Sequence, residues 1–238
     1  NASRGLGDVY KRQLSGRATA WQPPGRFAPS RTPVDPSGLP TVTRGRYTIV
    51  IDPGHGGPDP GAVGIGGLRE TDVVLDVSLQ VAALLRARGV DVLLTRTGDV
   101  DVDLPPRVSL ANRSSATAFI SIHANALSMR RQDVNGIETF FFSDPRSGRL
   151  AGYLQQQMMD VSPGTPNRGV RRGRFFVIRR TVMPAALVEM GFVTGVIDAP
   201  RLARADHRRR LALALATGIL NYLRQDCLLY TSDAADEH

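Results

Sequence analysis

The stretch Tyr47–Thr95, YTIVIDPGHGGPDPGAVGIGGLRETDVVLDVSLQVAALLRARGVDVLLT, sets the fold class. Its first six residues, YTIVID, are apolar and β-branched, the mark of a strand buried on both faces. A glycine-rich loop, Pro53–Arg69, follows. Thr71–Arg88 then reads as a helix: Val73, Val74, Val77, Val81, Leu84 and Leu85 recur at helical spacing, and Gly89 is a natural stop. Val90–Thr95 is a second strand. A strand, a loop, a helix and a strand in succession are the unit of a parallel α/β sheet.

The pattern continues outward. Pro105–Ser115 is a short helix opened by proline, and Ala118–His123 (AFISIH) is a third strand. Gly136–Phe142 (GIETFFF) reads as a fourth strand, nearer an edge, and Ser147–Val161 as a helix. Arg174–Ile178 and Ala185–Met190 read as two further strands, and Asp198–Arg224 contains a final long helix. The expectation is one α/β domain: a mostly parallel sheet of about six strands with helices on both faces. In such sheets functional sites gather beyond the carboxyl ends of the strands.

The two ends differ from this body. Asn1–Gln13 and Gln225–His238 resemble translated sequencing-adapter scars, and they hold the only lysine, Lys11, and the only cysteine, Cys227. They are set aside as non-native tails. Residues 14–45, rich in Pro, Ser, Thr, Gly and Arg without periodicity, read as a linker, and residues 46–224 as the catalytic domain. Of the whole chain's net charge of +8, the body carries more, 27 basic against 17 acidic residues, which favours anionic partners. The basic runs Arg168–Arg174 and His207–Arg210 lack any RNA-binding aromatic signature or zinc-finger spacing, so nucleic acid is not expected. No apolar run approaches the ~20 residues of a membrane span. A body without cysteine leaves the redox compartment open, and oligomeric state is not legible.

Few histidines are available for chemistry. His238 lies in the set-aside tail and His207 in an arginine run, which leaves His55, in Asp52-Pro53-Gly54-His55-Gly56-Gly57, and His123, in Ser121-Ile122-His123-Ala124-Asn125. Each lies just past a buried strand. Glu70 ends the glycine loop and opens the next helix. Taken singly, each has a plainer role: a hydrogen-bonded structural histidine, or a first-turn acid favoured by the helix dipole. Together, two imidazoles and a carboxylate form a known catalytic zinc set whose fourth position is left to water. Glu189, in ALVEMGF, is a charge inside an apolar strand, which is costly without a partner; a structural ion pair explains it about as well.

The segments VIDPGHGGPDPGAVGIGGLRE (Val50–Glu70), LLTRT (Leu93–Thr97), RVSLANRSSATAFISIHANA (Arg107–Ala126), NGIETFFFS (Asn135–Ser143) and MPAALVEMGFVT (Met183–Thr194) resemble, in order, the zinc-dependent N-acetylmuramoyl-L-alanine amidases of the amidase-3 family. The resemblance implies that His55, Glu70 and His123 bind Zn2+ and that Glu189 is the catalytic acid/base. It also implies a mixed α/β sheet of about six strands and peptidoglycan as substrate, hence a periplasmic or extracellular location. Arg168 and Arg171 are expected to pair with stem-peptide carboxylates, and Asn125 to position the metal site or a substrate carbonyl. Where the family usually has asparagine after the GF dipeptide, this chain has Gly195, so a looser helix entry is expected there. Asp144–Asn167 has no room for the autoinhibitory helical insertion of division-activated members, which predicts an open site. The rival readings are another zinc peptidase of the wall, a non-catalytic wall-binding module and, from charge alone, a nucleic-acid binder.

Overall fold

The computed structural model describes residues 29–233, with side chains to residue 225. The expected tail 1–13, the first half of the linker and residues 234–238 lie outside the described residues.

Six strands form one sheet: β1 (Thr48–Pro53), β2 (Asp91–Leu94), β3 (Ala118–Asn125), β4 (Ile137–Phe141), β5 (Asn167–Arg172) and β6 (Ala185–Phe192). Their order is β2-β1-β3-β6-β4-β5. All pairings are parallel except β4 with β6. The helices are α1 (Glu70–Ala87), α2 (Leu104–Arg113), α3 (Pro145–Asp160), α4 (Phe176–Arg180), α5 (Asp198–Leu202) and α6 (Ala205–Asp233).

Strand alternation divides the interior in two. Ile49, Ile51, Ile120, Ile122, Ala186 and Val188 face the long helices α1, α3 and α6 and form the larger core. Val50, Phe119, Leu187 and Phe140 face the other way and pack with Val108 and Ala111 of α2 and Val177 and Ile178 of α4. By the same parity Asp52, Ser121, His123, Glu138 and Glu189 all lie on the thin side, where the covering helices are short.

One reading from sequence is corrected. The strand expected at Arg174–Ile178 is the helix α4, and the edge strand is Asn167–Arg172. Phe176, Val177 and Ile178 look strand-like because they are bulky and β-branched, but one helical turn also buries Val177 and Ile178 in the thin core. The true edge strand, NRGVRR, pairs only with β4 and buries only Val170, so it carries no apolar signal. The final long helix expected within Asp198–Arg224 is present as α6, preceded by the short α5, and α6 continues through part of the expected C-terminal tail to Asp233.

The second half of the expected linker packs onto the long-helix face. Asn221 accepts from the Ser30 amide at 3.0 Å and donates to the Ser30 carbonyl at 2.7 Å. Gln157 donates to the same carbonyl at 3.2 Å and accepts from the Thr32 hydroxyl at 2.7 Å. Leu39 enters the larger core.

The helix entry at Gly195 is not loose. Asn135, from the β3–β4 connection, accepts with Oδ1 from the amides of Ile197 (2.9 Å) and Asp198 (3.1 Å), capping α5 from across the chain. A Cβ at Gly195 would lie 2.1 Å from that Oδ1 and 2.7 Å from the Val134 carbonyl. We therefore expect Gly195→Asn to destabilise the protein by about 1–3 kcal/mol through overpacking, and Asn135→Ala by about 1–2 kcal/mol through loss of the cap. Urea unfolding of the two variants measures both.

Candidate metal centre

Three of the expected residues meet at the carboxyl ends of β1 and β3. His55 follows β1, His123 lies near the end of β3, and Glu70 is the first residue of α1. One oxygen of Glu70, Oε1, lies 3.1 Å from His55 Nε2 and 3.0 Å from His123 Nδ1. The imidazoles stand edge to face, 5.0 Å between centroids. The three donor atoms lie within 4.8 Å of one another.

The backbone is shaped around this cluster. A Cβ at Gly54 would sit 2.2 Å from His123 Cε1, and one at Gly61 2.8 Å from Glu70 Oε2 and 2.9 Å from His55 Cδ2. Only glycine lets the loop close on the rings. His55 itself has φ +60°, the left-handed region that a non-glycine residue enters at a cost of order 1–3 kcal/mol. Strain at a residue with a chemical side chain is stored where surrounding contacts over-determine it.

Glu70 is 5% exposed and accepts from the amides of Ala124 (3.1 Å) and Ala62 (3.0 Å). Burial works to raise its pKa, but the two imidazoles outweigh burial and hold the carboxyl well below the usual range. Burial likewise pulls His55 down, yet Glu70 and Asp59 together raise it to about 9. Asp59 Oδ2 lies 2.8 Å from His55 Nδ1, which turns Nε2 toward Glu70. A carboxylate behind a histidine in this way fixes the ring's orientation and tautomer for a metal.

The donor set fits a small divalent cation. Zn–ligand bonds of about 2.0–2.1 Å in a tetrahedron put donors about 3.3 Å apart, close to the 3.0 and 3.1 Å separations here. Protonated imidazoles satisfy the same geometry without a metal, so proton and cation compete for one place.

Glu189 is fully buried in β6, and in the sheet register its partner is His123 on one side and Glu138 on the other. It therefore sits beside the cluster on the thin face. The other three expected residues converge on a carboxylate that the sequence reading passed over. Glu138, also fully buried, accepts from Asn125 Nδ2 at 2.8 Å and pairs with Arg168 Nε and Arg171 Nε at 3.2 Å each. Its signal was present in GIETFFF, a charge in an apolar strand, the same anomaly that singles out Glu189. Asp59, four residues past His55, was also passed over.

Comparison with known proteins agrees with the geometry. A family model described as N-acetylmuramoyl-L-alanine amidase matches residues 49–221. The N-acetylmuramoyl-L-alanine amidase LytC of Bacillus subtilis is 39% identical over 180 residues, 74% of this chain but 36% of LytC, so the chain spans about a third of that relative. The germination-specific N-acetylmuramoyl-L-alanine amidase of the same organism is 32% identical over 192 residues, covering 74% of this chain and 80% of the relative. The solved structure of the amidase AmiC2 of Nostoc punctiforme superposes with a TM-score of 0.73 at 46% identity, over 76% of this chain and 99% of that one.

The raised pKa of His55 has a definite sign. In metal-free protein its proton stabilises the fold fully below the unfolded value of 6.5, and that contribution is lost as pH rises through about 9. Glu70, shifted the other way, contributes uniformly across this window. The stability gap between chelator-treated wild type and His55→Ala should therefore narrow from pH 6.5 to about 9 in thermal unfolding.

Proposed function

The chain belongs to the N-acetylmuramoyl-L-alanine amidase family, and we propose that it cuts the amide between N-acetylmuramic acid and L-alanine in peptidoglycan with one zinc ion and Glu189 as proton carrier. The observation that carries this reading is the meeting of two imidazoles and a carboxylate within 4.8 Å, with Glu189 in register beside His123.

His55 Nε2, Glu70 and His123 Nδ1 would hold the metal. Two nitrogens and one oxygen suit zinc, and three protein ligands leave a position open. When bound, zinc supplies a Lewis acid that acidifies water and polarises a carbonyl. Glu189 takes a proton from the water that attacks the lactyl amide carbonyl, then gives it to the departing L-alanine nitrogen. The carbon–nitrogen bond breaks, leaving a lactyl carboxylate on the glycan and a peptide with a free amino terminus. Arg168 and Arg171 neutralise Glu138 first. A stem-peptide carboxylate is the substrate group that suits these guanidiniums. Asn125, tied to Glu138, holds the end of β3 beside His123.

Between β4 and β5 the chain has only α3 and a turn, and His55 and His123 remain 20% and 15% exposed in their side chains. This supports activity without an activating partner. The substrate places the enzyme in the periplasm or outside the cell. Among the described residues no helix is long and apolar enough to cross a membrane.

Mass analysis of digested peptidoglycan tests the bond cut. Peptides with free amino-terminal L-alanine are expected from purified protein alone; released D-alanine would point instead to a carboxypeptidase. Glu189→Gln should retain stoichiometric zinc and lose about 10²–10⁴-fold in turnover, whereas His55→Ala should lose both metal and turnover.

A further inference from the structure

Two arginines outside the ligand set enclose the loop that carries His55. Arg96, just past β2, donates from Nε to the Pro53 carbonyl (3.1 Å) and from Nη2 to the Gly54 carbonyl (2.7 Å). Arg107, in α2, donates from Nη1 to the Pro53 carbonyl (2.5 Å) and from Nη2 to the His55 carbonyl (2.8 Å). Three consecutive carbonyls are thus held by two guanidiniums. Each arginine is itself fixed from behind, Arg96 by Gly98 and Thr71, Arg107 by Val102 and by Asp52 at 2.9 Å. Asp52 in turn accepts from Thr95 (2.6 Å) and Ser121 (2.8 Å).

This arrangement is a poor way to gain stability. Both arginines are 3% exposed, and burial together with the neighbouring Arg107 depresses the pKa of Arg96. Two buried cations with one directly paired aspartate cost desolvation that an apolar filling would avoid. What the contacts do achieve is geometric. They fix the peptide planes on both sides of Gly54 and the carbonyl of His55, the residue held at φ +60°. A guanidinium presents its donors to two carbonyls in a rigid planar fork, whereas an ammonium is a compact point charge with rotatable donors and no fixed fork.

We infer that Arg96 and Arg107 are positioning residues for the metal: by clamping the carbonyls of Pro53, Gly54 and His55 they aim His55 Nε2 at the ion. The inference rests on the metal reading above. It assigns the arginines no contact with substrate.

The test is the zinc affinity of the metal-free protein, measured by competition with a chelating indicator, together with the visible absorption of the cobalt-substituted protein. Arg107→Lys keeps a cation beside Asp52 but loses the fork; Arg96→Lys repeats the test on the other clamp. Leu215→Ala, a cavity in the larger core on α6, serves as the destabilised control. Zinc should bind about 10–100-fold more weakly to each lysine variant, with a shifted cobalt spectrum and retained circular dichroism, while Leu215→Ala lowers Tm and binds zinc as wild type does. Lysine variants that lose Tm yet bind zinc with wild-type affinity and spectrum would overturn the inference alone. Wild-type protein that binds no zinc would overturn the metal reading beneath it.

Discussion

A carboxylate wedged between two imidazoles governs how this molecule is built. Glu70 is nearly inaccessible to water, and a buried carboxylate without partners is strongly unfavourable. Its charge is met from every side: two rings, two backbone amides and the amino-terminal end of α1, where the helix dipole favours an anion. The long glycine loop exists to bring His55 to that point, and β3 ends where it must to bring His123. Removing any one member leaves an uncompensated charge among the others, so the cluster is cooperative in charge as well as in geometry.

The sheet contributes by asymmetry. One face is covered by three long helices and supplies most of the apolar burial. The other is covered by two short ones and carries buried carboxylates and hydroxyls of β1, β3, β4 and β6. Strand alternation alone puts Asp52, Ser121, His123, Glu138 and Glu189 on that second face. Stability and chemistry are thereby given to opposite sides of one sheet, and the reversed direction of β4 brings Glu138 level with Glu189.

How much of this could be read from the residues depended on whether a residue's role was local. The β1–α1–β2 unit was legible because its burial follows periodicity, and α1 begins at Glu70, one residue before the expected start. His55, His123 and Glu70 were legible because glycine spacing and strand ends constrain them. The edge strand was not, because pairing on one side only needs no apolar run, and Arg174–Ile178 reads as a strand because bulky residues suit a buried helical turn equally well. Arg168 and Arg171 both pair with Glu138, a contact set by the pairing of β4 with β5 and β6 that no local pattern announces. The role of Arg96 and Arg107 was not legible either, since nothing in the local sequence says that three carbonyls of a distant loop point at them.

The cap on α5 makes positions 135 and 195 a single unit, although sixty residues separate them. The space that a side chain at 195 would occupy is already filled by the amide of Asn135. A hybrid enzyme that takes its β3–β4 connection from one parent and its post-β6 turn from another would inherit either two caps in one volume or none. Recombination with relatives therefore has its safe crossover points outside this pair, and variants drifting at one site open or close the choices available at the other.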